Sequence, residues 1–304
     1  MSLAEPPVWL WVVFTLVAAC SQTFRNAMQR SLTARLGTVG ATHVRFLFGL
    51  PFACVFVVLI LATAPPLREP RFDRLFWAWV VVAGVSQIIA TALMLAAMQL
   101  RSFTVATAYV KSEPVLVAVL GFVFLGDRLG ALAILAILVA TAGVLLMSTS
   151  GAQAQPGTRL RAALLGIAAG AIFALSAVGF RGAIVALGDD PFHVRAAITL
   201  VIGLAVQSAL LTTWLRLRSP GTMGEILRAW RPSLAAGALG SFASLCWFTA
   251  FALQSAAAVR TLALIEILFA QAISRQLFAQ RASAAEALGI ALVVAGVAAL
   301  LLAG

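Results

Sequence analysis

The chain has 304 residues, 62% of them hydrophobic and only 10% charged, with a mean hydropathy of +1.05. A water-soluble domain is about 45–50% apolar and about 25% charged, so this composition excludes water as the main solvent and points to lipid. The formal net charge of +11 does not indicate nucleic acid, because single arginines are scattered between apolar segments with no basic aromatic patch; charge of that kind flanks membrane spans.

A helical span needs about 20 mostly apolar residues. Ten stretches qualify: 8–28, 42–63, 75–99, 102–125, 129–148, 160–186, 192–215, 232–253, 257–278 and 284–303. The run from Val8 has neither a basic leader region nor an A-x-A site before it, so it reads as span one. That span carries Phe24-Arg25-Asn26-Ala27, and span two opens with His43-Val44-Arg45. The turn signal Pro65-Pro66-Leu67-Arg68-Glu69-Pro70 separates it from span three, which holds Gln87. Span four contains Tyr109, Lys111, Glu113 and Pro114 and ends at Gly126-Asp127-Arg128. Span five carries Gly143.

The polar stretch from Ser148 to Arg159 divides the chain into two five-span units, 1–150 and 151–304. Span six has a G-x-x-x-G at Gly166 and Gly170, a spacing that lets membrane helices pack closely, and then Phe180-Arg181-Gly182-Ala183. After the break Gly188-Asp189-Asp190-Pro191, span seven opens with His193-Val194-Arg195. Arg218-Ser219-Pro220-Gly221 ends it, span eight holds Trp247 and Phe248, span nine holds Arg260 and Glu266, and span ten holds Gly296.

The two units repeat. Aligning Leu100–Leu146 with Leu253–Ala299 pairs Ser102 with Ser255, Glu113 with Glu266, Arg128 with Arg281 and Gly143 with Gly296. The His-Val-Arg and Phe-Arg-x-Ala matches fall in the same order. Five is an odd number of crossings, so two units of one fold must lie in opposite senses. The expected fold is therefore all-α, with ten spans as two inverted five-helix repeats around a central cavity, an arrangement that transporters use for alternating access. The arginine bias between loops puts both termini away from the cytoplasm.

Charge inside a bilayer costs ~2.5–3.5 kcal/mol per residue on insertion scales, so a charged residue kept there faces protein or a watery cavity. Glu113 and Glu266 lie near mid-span and are repeat mates. They serve either to bind a substrate ammonium or couple protons, or to form a static tie between the halves. Lys111 is the only lysine, and Pro114 invites a kink or unwinding around 110–114 that would free backbone carbonyls. Lys111 then binds a substrate carboxylate or neutralises a glutamate. Tyr109, four residues before Glu113, shares its helical face; Trp247, Phe248 and Gln87 are cavity-lining or packing groups. His43, Arg45, His193 and Arg195, at the entrances of spans two and seven, read as interfacial anchors or as gating and coupling groups. Arg25, Arg181 and Arg260 read as snorkelling side chains or gates.

Met94–Met147 resembles the EamA-type modules of the drug/metabolite transporter superfamily. The resemblance rests on the small-residue-rich third and fourth spans, Glu113-Pro114, the turn Leu125-Gly126-Asp127-Arg128 and Gly143. The second half departs from it, with Ile267 in place of the proline and Ala279-Gln280 in the turn. The resemblance implies ten helices, a central cavity and transport of small metabolites, most often amino acids, as in bacterial exporters of the inner membrane. Lys111, Glu113, Glu266, Tyr109, Trp247 and Gln87 are the expected substrate contacts. Fused halves remove the need for a dimer partner, which favours a monomer in the bilayer.

Two other classes compete. A membrane enzyme of lipid chemistry needs clustered acids or a nucleophile with its base, and no G-x-S-x-G, HExxH or P-loop is present. Cys20, Cys54 and Cys246 are isolated, so no metal or cofactor is expected. A channel or structural membrane protein needs a filter motif or a ring of ligands, which the paired mid-span charges do not resemble.

Overall fold

Long apolar runs satisfy their own backbone hydrogen bonds only as helices, and the chain folds accordingly. The computed structural model describes residues 6–65, 70–100, 103–149, 156–267 and 284–303. The helices are α1 (Leu10–Leu47), α2 (Leu50–Thr63), α3 (Arg74–Leu100), α4 (Phe103–Val110), α5 (Glu113–Leu125), α6 (Ala131–Thr149), α7 (Pro156–Ala186), α8 (Phe192–Arg218), α9 (Pro220–Arg228), α10 (Trp230–Leu253), α11 (Ala256–Leu262) and α12 (Ala284–Ala303). No strand occurs among the described residues.

Among the described residues, six helical stretches are long and apolar enough to cross a membrane: Leu10–Thr63, Arg74–Leu100, Ala106–Leu125, Leu160–Ala186, Phe192–Arg218 and Trp230–Leu253. Ala131–Leu146, Ala256–Ile265 and Ala287–Ala303 are apolar but shorter. The distribution of polarity is inverted relative to a soluble protein. Val58 is 64% exposed and Phe122 62%, whereas Glu113 is 2% and Glu266 1% exposed. Only an apolar solvent tolerates that pattern, and the protein is an integral membrane protein.

Helix boundaries depart from ten unbroken spans in several places. No loop separates spans one and two at 29–41: α1 runs through, and the break is confined to Gly37, whose φ of 66° and ψ of 175° are open to glycine but strained for other residues. Span four is split, as the proline suggested, at Lys111 and Ser112 between α4 and α5. Span nine changes geometry at the corresponding place: α11 ends at Leu262 and a 3₁₀ turn, Ala263–Ile265, delivers Glu266. The rest of span nine, with Ala279, Gln280 and Arg281, and Ser102 lie outside the described residues.

Three helix pairs form the main contacts: α3 with α7, α1 with α10, and α6 with α12. Small residues set each approach. A β-carbon on Gly179 would lie 2.9 Å from that of Ala83, and one on Gly182 would strike the Trp79 ring at 2.8 Å. Gly166 and Gly170 seat α7 against Tyr109 and the Val110 carbonyl. The turn after α5 closes on Gly126, with φ of 68°, as the Asp127 amide donates back to the Gly121 carbonyl at 3.2 Å.

Candidate functional site

The broken helices place four charges at the centre of the bundle. Lys111 Nζ donates to Glu266 Oε2 at 2.6 Å. Arg260 Nε lies 3.3 Å from Glu113 Oε1, but the geometry is not that of a hydrogen bond. All four side chains are at most 8% exposed. Each pair joins a residue of 1–150 to one of 151–304, and each glutamate meets a base from the opposite half.

A small cavity of about 20 Å³ lies beside these pairs, lined by Gln22, Arg25, Asn26, Lys111, Glu113, Arg260 and Glu266 together with Met94, Thr107, Val110 and Phe173. A second, of about 10 Å³, shares Gln22, Phe173 and Arg260 with it and adds Arg45, Gln87, Ser244 and the aromatic walls Phe180, Trp247, Phe248 and Phe251. Arg260 stacks over Trp247, 4.4 Å from the ring centroid. Gln22 bridges the two spaces, accepting from Trp247 Nε1 at 3.1 Å and donating to Glu266 at 3.4 Å. Gln87 accepts from Gln207 Nε2 at 2.9 Å across α3 and α8.

Among the sequence candidates, Lys111, Glu113 and Glu266 line the first cavity and Gln87 and Trp247 the second, the two sharing Gln22, Phe173 and Arg260. Phe248 lines the second too, with its ring 4.6 Å from that of Phe180. Tyr109 lines neither: the break at 111–112 turns Tyr109 onto Gly166 of α7.

Three arginines depart from the interfacial reading. Arg25 is 1% exposed and is held by Asn26 Oδ1 at 2.7 and 3.2 Å. Arg45 is 3% exposed, near Thr91 and Ser244 at 3.4 Å each. Arg260 is a buried member of an ion pair. Arg45 follows the break at Gly37, on the last stretch of α1, where His43, Val44 and Arg45 are all buried. His43 is wholly buried, with Nε2 3.0 Å from Thr212 Oγ1.

Its counterpart in the second half behaves differently. His193 and Arg195 are half-buried at the start of α8, with His193 edge-on to Phe192 at 5.0 Å. Arg181 lines neither cavity but holds the backbone of one wall residue, Phe251. It donates to the carbonyls of Phe251 and Gln254 and pairs with Asp127 at 3.2 Å, tying α7 to the end of α10 and the turn after α5.

Gln22, Asn26, Thr107 and Ser244 were not singled out from sequence. A signal existed in span one, where Gln22, Arg25, Asn26 and Gln29 recur at helical spacing as a polar stripe in an apolar helix. Among the described residues no group of three or more His, Cys, Asp or Glu is placed to hold a metal.

Comparison with known proteins agrees with this picture. Residues 9–149 match the EamA-like transporter family, so the first half carries a domain of a family of small-molecule membrane transporters. A search of curated proteins finds no match. A solved crystal structure superposes with a TM-score of 0.69, covering 96% of each chain at 18% identity, a likeness of fold alone.

Proposed function

We propose that the whole chain is an alternating-access transporter of small metabolites, built from two inverted five-helix halves, 1–150 and 151–304, with its site between them. The observation that carries the reading is the crossed pair of ion pairs, Lys111 with Glu266 and Arg260 with Glu113, buried beside a cavity where the halves meet. Ion pairs that bridge two rocking bodies break and re-form as the cavity changes the side it faces, and a charged cargo competes for them.

The packing supports the ten-span, inverted arrangement. A β-carbon on Gly143 would press on Gly289, Leu292 and Val293, and one on Gly296 on Ala136 and Ala140. Residues 289 and 293 are the repeat mates of 136 and 140, so α6 and α12 meet through equivalent surfaces and run antiparallel. Inverted units related by a twofold axis pack in this way. Likewise α3 on α7 corresponds to α10 on α1 under the same exchange of halves.

The cargo class suggested by the sequence resemblance is amino acids, in the manner of bacterial inner-membrane exporters. Bases and acids beside aromatic walls suit the charges and apolar body of a carboxylate-bearing metabolite. The test is uptake of labelled amino acids into proteoliposomes loaded with unlabelled ones, for the wild type and for Glu113→Gln, Glu266→Gln and Lys111→Ala. Saturable exchange lost in the variants supports the reading. Normal exchange by the three variants reduces the ion pairs to structural ties, and flux without counterflow favours a channel.

A further inference from the structure

The charges around the cavity do not balance. Arg25, Arg45, Lys111 and Arg260 line the two connected spaces against only Glu113 and Glu266. Both acids are already engaged, by Arg260 and Lys111. Arg25 and Arg45 make no ion pair with any carboxylate among the described residues. Outside those residues the predicted spans contain no further acid. The one other acid in a span, Glu286, lies two residues inside the tenth.

The two arginine stems also pass over one residue of α10. A β-carbon on Gly240 would lie 3.1 Å from Arg25 Cδ and 3.4 Å from Arg45 Cγ, so both stems cross the same bare patch of α10. Each keeps an unmet donor: Nη1 of Arg25 and Nε of Arg45 have no hydrogen-bond partner. Two buried cations with free donors are costly unless a ligand supplies the opposite charge. Arginine also presents a planar fork that matches an oxyanion through two parallel bonds.

We infer that the cargo is a net-negative small organic oxyanion, whose carboxylate or phosphate is gripped by Arg25 and Arg45 over Gly240 while its body lies against Trp247, Phe248 and Phe251. At Gly240 the bare backbone leaves room for both stems to lie close to α10. The inference rests on the transporter reading for its site but makes a separate claim about charge. Among amino acids it selects those with an acidic side chain; outside them it selects organic acids and phosphate esters.

The experiment uses purified full-length protein in detergent and in proteoliposomes. Four probe sets are compared: carboxylates (succinate, glutamate, phenylpyruvate), a phosphate ester (glycerol phosphate), zwitterions (phenylalanine, leucine) and a cation (phenethylamine). The expected result is that a carboxylate or the phosphate ester raises the melting temperature and exchanges across the membrane. Arg25→Gln and Arg45→Gln should each lower its apparent affinity by about tenfold or more, the loss of a charge-assisted bond.

The carboxylate and phosphate arms separate the two headgroups. Exchange of zwitterions or the cation alone overturns the anion inference and leaves the transporter reading standing. Failure of any probe to exchange, with anion-dependent stabilisation intact, overturns transport and leaves the anion site standing. An anion response unchanged in both arginine variants overturns the placement. Should either glutamine variant fail to fold, Arg25→Lys and Arg45→Lys retain charge without the fork and must still weaken anion binding, and the wild-type ranking of probes decides the sign of the cargo alone.

Discussion

Gly143 and Gly296 face each other's helices with no room for a side chain: a β-carbon on Gly143 would lie 2.6 Å from the Gly289 carbonyl oxygen, and one on Gly296 2.6 Å from the Ala140 amide nitrogen. Both obstacles are backbone, which cannot swing aside. Gly143→Ala and Gly296→Ala are therefore each expected to destabilise the protein by about 1–3 kcal/mol, the usual range for overpacking a tight interface. Thermal melts of the two variants in detergent check this; the proposed symmetry requires losses of similar size.

The Lys111–Glu266 pair gives a prediction that separates stability from function. Glu266→Gln leaves a buried lysine without its counter-charge, at a cost of about 3–5 kcal/mol. The double variant Lys111→Met with Glu266→Met removes both charges and is expected to recover most of that stability, since apolar replacements of buried pairs are often neutral. Transport should remain lost in the double variant. A double-mutant cycle on melting temperature, run beside exchange assays, measures both.

Trp247 holds three partners together: Arg260 over its ring, Gln22 on its indole nitrogen, and Phe251 stacked at 6.2 Å. Trp247→Ala is expected to weaken cargo binding by about tenfold, from lost aromatic surface and a cation–π contact of about 1–2 kcal/mol. Trp247→Phe keeps the ring and should retain most of the affinity. Titration of exchange against cargo concentration reads the difference.

Arg181 ties three segments without lining either cavity itself. Arg181→Gln removes the ion pair with Asp127 and weakens the hold on the Phe251 and Gln254 carbonyls. The expected result is a changed maximal exchange rate with cargo affinity within about twofold of wild type, because Arg181 makes no contact with the cavity and the Phe251 ring keeps its packing on Trp247 and Phe248. A changed affinity with an unchanged rate would place Arg181 in the binding site instead.

At Gly126 the backbone requires φ of 68°. Gly126→Ala imposes a left-handed conformation on a residue with a β-carbon and should cost about 1–2 kcal/mol. Gly130, with open space around it, is the control position: its alanine variant should melt within about 0.5 kcal/mol of wild type.

Much of the site was legible in the sequence because a charge in an apolar span has few explanations. Glu113, Glu266 and the lone Lys111 stood out for that reason, and Pro114 marked the broken helix that presents Lys111 and Glu113, whereas nothing in the sequence marked the 3₁₀ turn before Glu266. Arg25, Arg45 and Arg260 were harder to place. A lone arginine near a span end can reach water by snorkelling or turn inward, and the local sequence is the same in both cases. Gln22 and Asn26 were hidden because uncharged polar residues cost less in a membrane helix and so attract less notice. Tyr109 was assigned to the Glu113 face by assuming an unbroken helix, and the break at 111–112 rotates it onto α7.

The sequence by itself determined that this is a helical membrane protein, because 62% hydrophobic residues in spans of about 20 leave the backbone no other way to satisfy its hydrogen bonds in lipid. The tertiary structure alone decided which charges meet. Lys111 and Glu266 are 155 residues apart, and their contact depends on where α4, the 3₁₀ turn and the glycine-lined helix pairs bring them, a matter of packing shape that hydropathy does not encode. The same holds for the unbalanced pair Arg25 and Arg45: each looks ordinary in its own span, and only their convergence over Gly240 makes a site.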